Sequence, residues 1–452
     1  MNRHSLICRF DATDRGRVEP ADPNSQQTVV HFVSGERRFD YGLGSLLDKV
    51  AFLGLQPPES AFDLALLAAL VFCADTRVSR ESEAQDGWTR EIDLYLPVAD
   101  LELWATQREP IEDMLRFLTG DQWRLFFRAR PSGYRAIVPE VPERQLPRFT
   151  CASLFSGGLD SYIGVIDLLA QEEIPLLVSH HMEGTTKSHQ DMCLANLTTA
   201  YGDEAFEALQ NYVCFKSDIV RGVEEDPNQR ARSFLFFGLG ALASSGLEDT
   251  TLYVPENGLI ALNVPLDPLR LGALSTRTTH PHFMARYNKL LAALGIGVTL
   301  KNPYRHRTKG QMAAECRNAE LLRRTAAHTM SCSSPTKGRW QGHAPGHCGY
   351  CVPCLIRRAS LVAAFGVDPT PYHLQNLAAA VLDCSKAEGQ HIRSFQLALA
   401  RLHANPNLAR TAIHSPGPLT DFRNEWPDFA RVYADAMEEV GTLLRGVVTR
   451  PL

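Results

Sequence analysis

A chain of 452 residues, 44% hydrophobic and 21% charged, has the composition of an ordinary globular protein and the length of two or three domains. Its net charge of −5 argues against wrapping nucleic acid by bulk electrostatics. No segment is apolar for long enough to span a bilayer, and Met1–Ser5 lacks the apolar core of a secretory signal, so a cytoplasmic protein is expected. Eleven cysteines in such a compartment imply metal binding or reduced core thiols rather than disulfides.

Residues 1–147 read as an N-terminal α+β domain. Arg17–Gln27 is a polar loop, Phe62–Asp75 an apolar helix, and Glu91–Leu96 alternates as a half-buried strand. Pro110–Leu118 reads as a helix with Pro in its first turn, and Trp123–Phe127 as a further strand. The absence of a catalytic motif there predicts a partner or product-recognition module, separated by a linker carrying Pro139, Pro142 and Pro147. Over 148–365, strand candidates Cys151–Phe155, Pro175–Ser179, Tyr212–Phe215, Thr251–Pro255 and Gly297–Leu300 alternate with helices that include Arg232–Ser244 and Phe283–Leu294. That alternation predicts a parallel sheet covered by helices on both faces, with ligands beyond the carboxyl ends of its strands. Residues 366–452 read as a helical region, with His373–Leu382, Ser394–His403 and Trp426–Arg445 following Leu355–Phe365.

The first of these strands runs into Ser156-Gly157-Gly158-Leu159-Asp160-Ser161 and then a helix. A glycine turn opening a helix presents unpaired N–H groups and a positive dipole end to an anion. Ser156 and Ser161 add hydroxyls, and Gly157 and Gly158 allow close approach of a phosphate. Asp160 is out of place in a pure anion site; it makes sense where Mg²⁺ bridges it and the phosphates. The turn lacks the spacer and the Gly-Lys-Ser/Thr ending of a Walker A loop.

Cys348, Cys351 and Cys354 follow one another at two-residue spacing, and Cys332 lies sixteen residues upstream of the first. Four thiolates so placed complete a closed tetrahedral zinc site, with an iron–sulfur cluster as the alternative. His328, His343 and His347 are spare ligands or, more simply, solvated loop histidines.

The turn resembles the SGGxDS loop of the PP-loop ATP pyrophosphatases, an adenine nucleotide alpha hydrolase-like fold. Together with Arg232-Ser233, Lys309 in Thr308-Lys309-Gly310, the four cysteines, and Arg357 and Arg358, the pattern resembles QueC, the 7-cyano-7-deazaguanine synthase family. The match spans roughly residues 149 to 365. The layout of the whole chain, with Pro255–Gly258 and Ser275–Pro281, is most similar to the QueC-like QatC branch of the Qat anti-phage defence systems. The resemblance implies an ATP- and Mg²⁺-dependent carbon–nitrogen ligase that forms AMP and pyrophosphate while adenylating 7-carboxy-7-deazaguanine. Ammonia then gives the amide and nitrile, or a protein amine gives a conjugate. It further implies nucleotide binding by Ser156, Gly157, Gly158, Leu159, Asp160, Ser161 and Arg232. Lys309 would neutralise phosphate charge, Cys332, Cys348, Cys351 and Cys354 would hold zinc, and protein partners would come from the same defence operon.

The chain departs from the family at Ser179–Gly184 and Pro255–Gly258, segments that the resemblance implies would shape the substrate pocket. Arg277 is a further active-site candidate, since a guanidinium among Ser and Thr can clamp a phosphate or carboxylate, although a polar loop capped by Pro281 reads equally well. Glu256 and Asn257 suit a purine edge or a plain turn; His180 and His181 read as strand-end polarity. Arg305–Lys309 also reads as a solvated basic face. Two other functions fit the same motifs: an RNA-modifying enzyme acting by tRNA adenylation, and a non-catalytic nucleotide-binding scaffold.

Overall fold

The computed structural model describes residues 3–35, 38–140, 148–247, 249–266 and 277–451. In the N-terminal unit, β1 (Arg3–Arg9) and β2 (Gln26–His31) precede α1 (Leu43–Phe52) and α2 (Glu59–Arg77). Strand β3 (Glu91–Val98), α3 (Arg108–Thr119) and β4 (Gln122–Ala129) complete it. The four strands form one sheet in the order β2-β1-β3-β4, and every pairing is parallel. This corrects the expected α+β arrangement: helical crossovers lead from β2 to β3 and from β3 to β4, so each strand restarts at the same end. Strand β3 is buried on both faces rather than one, because its polar Asp93 is paired with Arg3 at 2.9 Å and Arg124 at 2.6 Å.

The second sheet runs through β5 (Cys151–Leu154), α4 (Leu159–Leu169), β6 (Pro175–His181), α5 (Gly184–Tyr201), β7 (Glu207–Tyr212) and α6 (Arg232–Ser244). It closes with β8 (Thr250–Tyr253), α7 (Pro281–Ala293) and β9 (Val298–Lys301). Its order is β9-β8-β5-β6-β7, again all parallel. The chain leaves central β5 toward β6 and β7, then returns to the other side for β8 and β9. The crevice between the β5 and β8 carboxyl ends is therefore the switch point where such sheets take ligands. The third strand lies at Glu207–Tyr212, upstream of the expected Tyr212–Phe215. The apolar Phe215 marks a contact with the N-terminal unit instead, stacking on Tyr41 at 4.3 Å.

The two sheets are not separate bodies. Helix α2 is buried on all sides, as a helix apolar all round must be, and packs between its own sheet and α6, which lies on the second sheet. Gly238 of α6 permits the approach: a Cβ there would stand 2.8 Å from Ala68 Cβ. One continuous core spans both sheets. A buried ion cluster pins the seam: Arg90 bridges Asp75 at 2.9 Å and Asp121 at 2.6 Å, Arg80 reaches Asp226 at 3.2 Å, and Asp75 accepts the N–H of Ala231 at 2.7 Å.

Beyond β9 lie α8 (Lys309–Ala314), α9 (Val352–Phe365), α10 (Ala387–Ala404) and α11 (Trp426–Leu443). The C-terminal region is helical, as expected, except at His373–Leu382 and in the short parallel pairing of Leu382–Asp383 with Thr449–Arg450. The first of these stretches is tied to the cysteine loop: the N–H groups of His373 and Leu374 donate to the carbonyls of His347 (2.9 Å) and Cys348 (3.1 Å). Arg358 in turn holds the Leu374 and Gln375 carbonyls, so the start of this stretch is committed to contacts outside a helix. Among the described residues, no helix is long and apolar enough to cross a membrane. Pro142, Pro147 and residues 275–276 of the Ser275–Pro281 block lie outside the described residues.

Candidate active site and metal centre

Chain direction changes sharply after β5. Gly157 takes φ +77°, a left-handed conformation, and a Cβ on it would stand 3.0 Å from Gln190 Cγ of α5, so the turn fits only glycine comfortably. The two serines tie the turn to itself. Ser161 Oγ donates to the Gly158 carbonyl at 3.0 Å, and Ser156 Oγ accepts the Gly158 N–H at 3.2 Å. Helix α4 then starts at Leu159, whose side chain enters the core. The N–H groups of its first turn, including those of Asp160 and Ser161, have no acceptor within the helix.

Asp160 lies in this first turn, 6% exposed, and faces the end of β8 across the switch point. Its Oδ2 accepts Asn257 Nδ2 at 2.8 Å, and Lys309 Nζ stands 3.2 Å from its Oδ1. Oδ1 is buried, and the Lys309 ammonium is the cation that faces it. Glu256 completes the cluster, its Oε1 accepting Asn257 Nδ2 at 3.0 Å. Burial and the neighbouring Asp160 carboxylate push Glu256 well above the usual range. Burial pulls Asp160 the same way, but Lys309 and the hydrogen bonds from Glu256 and Asn257 hold it below its ordinary value. The pair thus shares one proton, kept on Glu256, and Asp160 carries the charge that matches Lys309. Asn302 fixes the Glu256 turn through its Nδ2 on the Glu256 carbonyl at 2.8 Å. Asn257 also caps the short helix Gly258–Leu262, its Oδ1 accepting Ile260 N–H at 3.1 Å.

The other expected site residues are placed differently. Arg232 begins α6, half-buried, with its guanidinium 5.8 Å from the Phe236 ring centroid; burial lowers its pKa and the Glu183 carboxylate opposes this. Arg277 reaches the N-terminal unit, donating to the Phe117 carbonyl at 2.6 Å and lying over the Phe117 ring at 4.8 Å. No contact found among the described residues joins either arginine to Asp160. His180 and His181 close β6, as strand-end residues, and are buried. His180 is fully buried between Phe72 and Phe236, bonded to the Val213 carbonyl at 3.1 Å, and burial holds its pKa down to about 3. His181, also buried, lies against the Tyr212 ring. Arg305–Lys309 is not a free basic face: Arg305 and His306 both pair with Glu425, and Lys309 is 6% exposed.

The four expected cysteine ligands converge. Sγ atoms of Cys332, Cys348, Cys351 and Cys354 are all buried and lie within 4.8 Å of one another. Cys332 to Cys351 and Cys348 to Cys354 are each 3.9 Å, far beyond a disulfide bond. Four thiolates at metal–sulfur bonds of about 2.3 Å form a tetrahedron with edges near 3.8 Å, so this donor set could hold a single ion such as zinc. A cubane cluster places each thiolate on a different iron and spreads the sulfurs much wider than this. The Cys351 N–H points at Cys348 Sγ at 3.3 Å, a contact that orients the thiolate. His347 is buried rather than solvated, and its Nε2 accepts Ser331 N–H at 3.1 Å.

This metal centre is joined to the turn after β5. The Met330 N–H donates to the Gly157 carbonyl at 2.8 Å, and Arg357, fully buried, ties down the same strap through Ala326 O, Thr329 Oγ1 and Ser331 Oγ. No family model matches the chain, and no curated protein matches it either.

Proposed function

We propose that this protein is an ATP pyrophosphatase of the PP-loop type that activates a carboxylate as its adenylate and transfers the acyl group to an amine. The observation that carries this reading is the cluster of Asp160, Glu256 and Lys309 at the β5–β8 switch point, with Asp160 in the opening turn of α4, whose first N–H groups have no acceptor within the helix. Two neighbouring buried carboxylates suit a divalent cation once Glu256 gives up its proton, and Asp160 and Glu256 would hold it. Magnesium bound there would shield the phosphate charge during adenylyl transfer. Leu159, Asp160 and Ser161 offer their N–H groups to the phosphates, and Lys309 supplies a positive charge where pyrophosphate leaves. The acid's oxygen attacks the α-phosphorus, pyrophosphate departs, and an amine then displaces AMP to give an amide.

The resemblance to QueC supports 7-carboxy-7-deazaguanine as the acid, and the Qat-like layout supports a role in phage defence. Ammonia leading to the nitrile is the simpler acceptor; the departures at Ser179–Gly184 and Pro255–Gly258 leave a protein amine as the other. The tetrahedral thiolate set supports zinc in a closed, structural site. The test is incubation of purified protein with ATP, Mg²⁺ and 7-carboxy-7-deazaguanine, followed by nucleotide analysis and mass spectrometry. AMP, pyrophosphate and an amide or nitrile are expected, with none from Asp160→Asn. ADP and orthophosphate would overturn the assignment.

A further inference from the structure

We propose that Glu439 of the C-terminal helix α11 is a positioning residue for Lys309, so that the ammonium meets Asp160 only while the C-terminal region is docked. The inference rests on the reading of Lys309 as a working residue of the site, and on four observations.

First, the Glu439 carboxylate is folded around the turn that opens α8. It accepts the Thr308 hydroxyl and, at 3.3 Å, the N–H of Gly310, the residues on either side of Lys309. Second, the approach is built in. A Cβ on Gly310 would stand 2.5 Å from Glu439 Oε1, so a larger residue there would displace the carboxylate from this position. Third, the Thr308 hydroxyl is used completely: its hydrogen goes to Glu439, and its oxygen accepts the Gln311 N–H at 2.9 Å in a reciprocal capping box. The backbone on both sides of Lys309 is thereby fixed, which matters for a long side chain with large rotamer entropy. Fourth, the same region closes on the other arm of the cluster. Val432 of α11 packs where a Gly258 Cβ would be, 2.8 Å away, and Glu425 just before the helix holds Arg305 at 2.9 Å. Glu439 itself is half-buried, and burial raises its pKa.

Two measurements test this, one of them independent of any activity. Amine labelling with peptide mapping reads the exposure of each lysine. Lys309 is protected in the intact protein; Glu439→Ala should raise its labelling about tenfold, the effect of losing a buried hydrogen bond to a charged group. The exposed Lys187 and Lys289 should label as before. Glu439→Gln, which keeps an acceptor for Thr308, should fall between the two. Unchanged protection of Lys309 in a folded Glu439→Ala protein overturns the proposal, as does equal deprotection by Gln and Ala. The second measurement is pyrophosphate release in a double-mutant cycle. Glu439→Ala should lower kcat in the parent protein but cost nothing further in Lys309→Ala, because it acts through that lysine. Independent, additive losses refute the positioning role. A parent protein that releases no pyrophosphate, yet shows the labelling response, refutes the proposed function and leaves the positioning role standing.

Discussion

The charge count at the Asp160 cluster predicts an asymmetry between its members. Two carboxylates and one ammonium occupy the same buried space, and one proton kept on Glu256 makes the total neutral. Asp160→Asn removes one negative charge; Glu256, which already feels Lys309, then ionises and takes its place. Glu256→Gln leaves the Asp160–Lys309 pair intact. Both variants should stay within about 1 kcal/mol of the parent in stability. Lys309→Met has no such substitute. Either Asp160 stays charged and unpaired, at about 3–5 kcal/mol, or it protonates. Holding a carboxyl of ordinary pKa near 3.9 neutral at pH 7 costs about 4 kcal/mol, and about 1.5 kcal/mol at pH 5. The acid in the Lys309→Met protein has a raised folded pKa, so its stability is greater at low pH and is lost as pH rises. Urea unfolding at both pH values, without divalent cations, reads the difference. Comparable losses for Asp160→Asn and Lys309→Met at pH 7, or a Lys309→Met deficit that does not shrink at pH 5, would refute this account of the cluster.

Three further outcomes are expected. Cys351→Ser should lose the single bound metal and, through the strap that holds Gly157, weaken ATP binding at the same time; elemental analysis showing iron and sulfide without zinc in the parent protein contradicts the assignment. Gly238→Ala should destabilise the whole chain by about 1–3 kcal/mol in one cooperative transition, since its Cβ meets Ala68 across the seam; calorimetry resolving two transitions, only one of them shifted, would show that the units fold separately. Buried neutral His180 and His280, both held down to about 3, contribute stability that is complete above pH 6.5 and lost as pH falls toward 3. The pair should contribute a slope of about 2.7 kcal/mol per pH unit in the middle of that window, and Phe in place of either should remove about 1.4 kcal/mol per pH unit from the measured slope.

What the sequence disclosed was governed by short-range pattern. A strand, a Gly-Gly turn and a helix start are adjacent in the chain, so the Ser156–Ser161 turn and its place at a strand end were legible. The Cys348–Cys354 spacing reads the same way, with Cys332 near enough to be drawn in. The apolar run of α2 announced a helix but not its partner: Leu, Ala and Val on every face say that something covers it, and only the tertiary structure shows that α6 does. Partnership between Asp160 and Glu256 depends on β8 lying beside β5, a matter of strand order that no local signal carries. Glu439 stands further away still, and nothing in its own stretch distinguishes it from the other acids of an amphipathic helix.

The distribution of support around the cluster bears on what the flanking regions are for. Each of the three segments that meet at the switch point is held from outside, two of them by α11. The Gly157 turn is held by the strap of the cysteine centre, the Asn257–Gly258 turn by Asn302 and Val432, and the Lys309 turn by Glu439. The start of α6, where Arg232 sits, is fixed by Asp75 of the N-terminal unit. A reading in which residues 1–147 form a detachable recognition module therefore meets a physical objection. Removing them uncovers the apolar face of α6 and leaves Ala231 without its carboxylate acceptor. A partner can still bind the outer surface of that unit, but the unit cannot be a mere attachment. Its inner helix is as much a part of the core beneath the second sheet as α6 itself, so α2 and α6 form a packed connection from the N-terminal unit to the second sheet, at whose carboxyl ends the proposed chemistry would take place.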